Sequence, residues 1–164
     1  MTRRRRAGAV VAAIVASTAL AAAQATRPRA SLQPAVAEVT VAPGTGVELI
    51  LNVSMPPDVH VQAHQPKDPL LIPTILTVEA PAGIGVEAIA YPSPTEFTQT
   101  GRPEPLLVLG PRFDIRVRVS VAADTGEGMR SVPVVLRYQA CNETVCFPPA
   151  RATAAWTVTV TRTR

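Results

Sequence analysis

Residues 112–122 read RFDIRVRVSVA, with Phe113, Ile115, Val117, Val119 and Val121 on every second position and Asp114, Arg116, Arg118 and Ser120 in the gaps. At 100° per residue a helix would scatter those five apolar side chains around its axis, whereas an extended chain puts them all on one face. The same period recurs three times. Val47, Leu49, Leu51 and Val53 alternate in VELILNVSM, Val132, Val134, Leu136 and Tyr138 in SVPVVLRYQA, and Trp156, Val158 and Val160 in AWTVTVTR. A strand with one apolar and one wet face needs a second apolar face to cover it. Clusters of proline and glycine punctuate these runs, with APGTG, MPPD, PAGIG, YPSP and DTGEG between them, and such clusters mark turns. The pattern predicts an all-β fold, an immunoglobulin-like antiparallel β-sandwich.

The first 25 residues have another character. Arg3 to Arg6 precede the apolar stretch AGAVVAAIVASTALAAA, and Ala23-Gln24-Ala25 satisfies the small-x-small rule for cleavage. They read as a signal peptide, with an uncleaved membrane anchor as the alternative. Removing them lowers the sixteen Lys and Arg to twelve, equal to the twelve Asp and Glu. The mature chain is then near neutral and lacks the basic face that nucleic acid requires, which excludes nucleic-acid binding. About 139 residues remain, enough for a single core. Residues 26–38, TRPRASLQPAVAE, read as a flexible linker, and 39–164 as the folded domain. AYPSPTEFTQTGRPEPLLVLGP, from Ala90 to Pro111, reads as an exposed functional loop or cap.

Both cysteines lie in YQACNETVCFPP, residues 138–149. Asn142 to Thr144 suit a tight turn, because Asn tolerates left-handed backbone, and this would set Cys141 opposite Cys146 across a hairpin mouth. Pro148 and Pro149 remove two backbone donors and keep the segment at a sheet edge. Three readings of the pair stand. As a staple it closes only six residues, worth about 2 kcal/mol. As half of a metal site it would need His60 and His64, which lie about 13 Å apart if VHVQAH is a strand. As a redox pair it has no Lys, Arg or His in its own loop to activate a thiol, and Glu143 opposes ionisation. That chemistry suits a shuttle disulfide, attacked by an activated thiolate from another protein.

YQACNETVCFPP resembles the active-site hairpin of the amino-terminal periplasmic domain of the thiol–disulfide interchange protein DsbD, in which Tyr-Gln-small-Cys, a short turn and a second Cys lead into Pro-Pro. HVQAHQPKDPLLIPTILTV is similar to the family's His-containing turn followed by IPT and a strand. The resemblance covers roughly residues 45–160 and implies an immunoglobulin-like fold that relays electrons. It implies Cys146 as the sulfur that forms mixed disulfides and Cys141 as the resolving thiol. By chain order it places an aromatic cap at Phe97, with Glu96 its neighbour and Tyr91 as the alternative. The expected partners are a thioredoxin-like electron donor and, as acceptor, a periplasmic disulfide isomerase or cytochrome-maturation protein; a membrane partner protein is also compatible.

The site is therefore expected to comprise Cys141 and Cys146, the cap residues Phe97 and Glu96, and Tyr138, His60, Glu143 and Phe147 as its lining, with neither cofactor nor metal. The chain is expected to be a free-standing, exported relative whose donor is a separate protein, and its Cys-x4-Cys spacing is one residue shorter than in the best-known member. Two alternatives remain: a non-catalytic binding module of the same fold with a structural disulfide, or a periplasmic copper-handling accessory. The latter needs a third soft ligand, for which Met55 and Met129 are the candidates.

Overall fold

The computed structural model describes residues 27–162, none of them helical. In chain order the strands are β1 (Ser31–Pro34), β2 (Glu38–Val41), β3 (Gly46–Ser54) and β4 (His60–Gln62). Then come β5 (Ile75–Val78), β6 (Ile84–Ala90), β7 (Thr95–Phe97) and β8 (Leu106–Leu109). The last four are β9 (Arg112–Val121), β10 (Gly128–Tyr138), β11 (Ala140–Cys141) and β12 (Ala150–Val160). They form three four-stranded sheets, ordered β1-β3-β9-β6, β2-β12-β10-β5 and β11-β4-β8-β7.

The alternating residues make the core. Leu49, Leu51 and Val53 of β3 and Ile115, Val117, Val119 and Val121 of β9 supply one sheet's inner face. Val132, Val134, Leu136 and Tyr138 of β10 and Trp156, Val158 and Val160 of β12 supply the other's, and all belong to one buried cluster. Burying each such side chain contributes about 1.5–3 kcal/mol, and it is this two-sided burial that selects a sandwich. The Trp156 indole Nε1–H crosses the layer to donate to the Ile50 carbonyl, 3.4 Å away. The expected immunoglobulin-like β-sandwich is therefore the observed fold. All strand pairs are antiparallel except β2 with β12, where Glu38–Val41 runs parallel to Thr157–Val160.

Two segments differ from their sequence reading. Residues 31–34, taken as linker, form β1 and pair with β3 from Ser31↔Ser54 to Pro34↔Leu51, and Glu38 already belongs to β2. Four residues are too few to carry a periodic signal, although they alternate between exposed and half-buried, and Pro34 is tolerated because β1 is an edge strand. The Ala90–Pro111 segment is not an open loop. Its β7 and β8 form a hairpin, with Thr95↔Val108 to Phe97↔Leu106, that joins the third sheet. The signal peptide expected over residues 1–25 lies outside the described residues.

Candidate functional site

The third sheet carries both cysteines. From β10 the chain passes through Gln139 into β11, turns, and returns at Cys146, which bridges Cys141 in antiparallel fashion with Cα atoms 4.0 Å apart. The two form a disulfide. Backbone bonds from Asn142 N to Val145 O (2.9 Å) and from Phe147 N to Ala140 O (2.8 Å) close the hairpin. Its turn is built otherwise than expected. Asp58 is the only non-glycine residue with positive φ among the described residues, so Asn142 is not left-handed. Its side-chain Oδ1 instead accepts from Thr144 N (3.0 Å) and Val145 N (2.9 Å), an Asx turn that supplies the reversal without backbone strain. As read from Pro148 and Pro149, β11 lies at the sheet's edge. Cys141 is fully buried and Cys146 only partly.

The floor of the site is β4, where His60 lies opposite Cys141 and Val61 opposite Ala140. Period two sets His60 and Gln62 on the same face as Cys141. Gln62 is fully buried, and its Nε2 lies 3.1 Å from Cys141 Sγ and 3.7 Å from Cys146 Sγ. Gln62 Oε1 and His60 Nδ1 are buried without a hydrogen-bond partner. The IPT segment clamps this floor in place. Thr74 Oγ1 donates to the Gln62 carbonyl, and the His64 Nδ1–H donates to the Thr74 carbonyl at 2.9 Å. The Gln139 carboxamide accepts from Ile72 N (3.1 Å) and donates to the Phe147 carbonyl (3.3 Å), tying the segment to the cysteine hairpin.

The roof is the end of β7 and the residues after it. The Phe97 ring lies against His60, with centroids 4.4 Å apart and planes tilted by 33°. Gln99 Nε2 donates to the Asn142 carbonyl at 2.9 Å and lies 3.7 Å from Cys146 Sγ, and Thr100 N donates to the Glu143 carbonyl at 2.8 Å. Two ion pairs fasten the outer rim, Glu96 with Lys67 (2.8 Å) and Asp68 with Arg102 (2.9 Å). The Leu70 backbone N–H and then the Arg102 guanidinium hold the Asp68 carboxyl below its usual range. Tyr91, the other candidate cap, is stacked on His64 at 3.9 Å, and its hydroxyl accepts from Leu76 N.

Cys141, Cys146, His60 and Phe97 thus come together, and Glu143 joins them through its carbonyl while its side chain is exposed. Glu96 faces Lys67 on the rim. Phe147 is half-buried against the core at the hairpin's return strand. Tyr138 does not line the site: it is wholly inside the core cluster, and its hydroxyl accepts from Ala30 N at 2.8 Å. Its place in the alternating run of β10 dictates that burial. The histidines also part company, His60 against Phe97 and His64 against Tyr91. Met55 is in the core cluster, and Met129 sits on β10 nine positions before Tyr138, about 30 Å along the strand.

Gln62 and Gln99 were missed. Gln62 carried one legible sign, its place two positions from His60 and so on the same face of a short strand, whereas Gln99 had none. Comparison with known families then decides what the hairpin belongs to: residues 29–157 match the model of the amino-terminal domain of thiol:disulfide interchange protein DsbD. The chain belongs to the DsbD amino-terminal domain family. No curated protein sequence matches it. Among solved structures it is similar to a family 123 glycoside hydrolase from Clostridium perfringens, at 8% identity and a TM-score of 0.46. That match covers 83% of this chain and 27% of the hydrolase chain.

Proposed function

We propose that this chain is an exported, periplasmic thiol–disulfide interchange domain that relays electrons from a thioredoxin-like donor to a disulfide isomerase or cytochrome-maturation protein. Its redox group is the Cys141–Cys146 disulfide. The observation that carries the reading is the asymmetry of that pair in a member of this family: Cys141 is buried, while Cys146 is partly open at a sheet edge. A donor thiolate attacks Cys146 Sγ, the sulfur of the less buried cysteine. Its attack forms a donor–Cys146 disulfide and breaks the Cys141–Cys146 bond, whose electron pair leaves on Cys141 Sγ. The donor's second thiol then attacks its own sulfur in the mixed disulfide, so that the donor leaves oxidised and this chain holds two thiols. Reduction of an acceptor runs the same steps in reverse.

Phe97 is proposed as the cap, because it closes over His60 on the cysteine face while the residues after it bond to the turn between the cysteines. His60 and Phe147 serve as walls of the site.

The test is covalent trapping. Cys141→Ser leaves a lone Cys146, which should accumulate a mixed disulfide with a reduced thioredoxin-like protein bearing a resolving-cysteine mutation, once the Cys146 thiol is activated as a mixed disulfide with a small thiol. Cys146→Ser should accumulate none. Equal trapping by both variants, or a wild-type disulfide that withstands millimolar dithiothreitol in the folded state, would refute the relay and leave a clipped binding module.

A further inference from the structure

We infer that Gln62 is a catalytic residue of this exchange: its carboxamide N–H receives the charge that appears on Cys141 when Cys146 is attacked. The inference rests on the interchange reading and names the group that makes the buried sulfur an acceptable leaving group.

Cys141 is fully buried and faces β4 across the hairpin's inner side. When a thiolate forms the new bond to Cys146 Sγ, the electron pair of the broken bond must stay on Cys141 Sγ. An anion in an apolar interior is unfavourable unless a donor meets it. No Lys, Arg or His occupies the hairpin loop, and His60, which faces Cys141 from β4, packs on Phe97 with its Nδ1 buried and bonded to neither sulfur. The group in reach is Gln62 Nε2, 3.1 Å from Cys141 Sγ and 3.7 Å from Cys146 Sγ, straddling the bond that breaks.

The rest of the carboxamide supports this assignment. A glutamine kept for stability would have both ends satisfied. Gln62 presents its donor end to the sulfurs and leaves Oε1 buried with no partner. In the disulfide the sulfurs are poor acceptors, so the fold carries the cost of a buried amide for little return. On reduction the same N–H meets a thiol or thiolate, and the interaction strengthens. The side chain therefore favours the reduced state and the transition state that leads to it. Its main chain cannot drift from this position, because Gln62 N bonds to the Gln139 carbonyl at 3.0 Å and Thr74 Oγ1 holds the Gln62 carbonyl. Gln99, the second carboxamide, is committed to the Asn142 carbonyl at 2.9 Å and approaches Cys146 Sγ at 3.7 Å but not Cys141, so it acts on the roof rather than on the leaving group.

Gln62→Met tests the assignment, since it keeps the length of the side chain, removes the donor and removes the orphaned oxygen. The oxidised variant should unfold at the same or a higher denaturant concentration than the wild type. Its disulfide should be reduced about ten- to a hundredfold more slowly by dithiothreitol, the range set by losing one hydrogen bond to a charged group. A tenfold fall in the exchange equilibrium constant against glutathione corresponds to a potential about 30 mV more negative. In the Cys146→Ser background the Cys141 thiol should ionise at higher pH in Gln62→Met than with Gln62 present. Unchanged rates, potential and ionisation would overturn the role of Gln62 and leave the relay standing. A disulfide inert to dithiothreitol in both proteins would overturn both. Should the variant fold poorly, Gln62 itself gives the answer in the Cys146→Ser protein. Its side-chain amide proton resonances should titrate with Cys141, and resonances indifferent to that ionisation would refute the assignment.

Discussion

Replacing Phe97 by Ala removes the roof's aromatic contact while leaving its backbone bonds in place. The ring lies 4.4 Å from that of His60, and aromatic contacts of this kind contribute about 0.5–1.5 kcal/mol beyond simple burial. The neighbouring bonds, Thr100 N to the Glu143 carbonyl and Gln99 Nε2 to the Asn142 carbonyl, hold about 1 kcal/mol each and survive the change. The exposed Lys67–Glu96 pair adds little, as surface pairs do. If a thiol reaches Cys146 only when the roof lifts, loss of the ring raises the open fraction, and with it the rate, by about two- to twelvefold, because 1.4 kcal/mol is about tenfold. The assay is a time course of disulfide reduction by excess glutathione, quenched with a thiol-alkylating reagent. Phe97→Leu, which keeps much of the apolar area, should fall between Phe97→Ala and the wild type. A Phe97→Ala rate equal to or below that of the wild type would show that this ring does not shield the disulfide.

Asn142→Ala removes the acceptor for Thr144 N and Val145 N. Because those donors can turn to water, the oxidised chain should lose about 1 kcal/mol of stability in chemical denaturation, and no loss would mean the turn holds without its Asx bonds. Tyr91 gives a pH dependence: burial pushes its hydroxyl above the ordinary 10.0, and the Leu76 N–H only partly opposes this. The unfolded chain thus gives up that proton first, so the contribution is intact below about pH 10 and is lost as pH climbs from there through the folded value. Tyr91→Phe should lessen the alkaline fall in stability, measured by denaturant titration on either side of pH 10, and parallel curves for both proteins would contradict it.

The sequence disclosed the parts of the molecule that obey a period. Residues such as Leu49, Ile115, Val134 and Val158 alternate because each faces the opposite sheet, and that local rule is enough to place them. The hairpin was legible too, since Cys141 and Cys146 are close along the chain and their geometry is local. What stayed hidden depends on contacts between distant segments. β1 is recognisable only through its pairing with β3, and the roof only through Thr100 and Gln99 reaching the Asn142–Glu143 turn. At Tyr138 one motif serves two ends: its neighbours Gln139 and Cys141 build the site while its own ring obeys the alternation of β10. Gln62 shows the reverse, a residue whose polarity contradicts its burial and which belongs to chemistry rather than to packing.

The parallel pairing of β2 with β12 has a kinetic consequence. Strand β12 lies between β2 and β10, so partners from opposite ends of the described chain must meet before that sheet is whole. Until residues 150–160 arrive, β2 and β10 both present unpaired backbone, and this non-local closure is the slow kind. β12 therefore has to pair before the domain can lock, whereas the cysteine hairpin, whose bridge joins residues five apart, can form earlier and has no third cysteine with which to mispair. The sole tryptophan, Trp156, rides on that last strand, and its fluorescence will time the closing step directly.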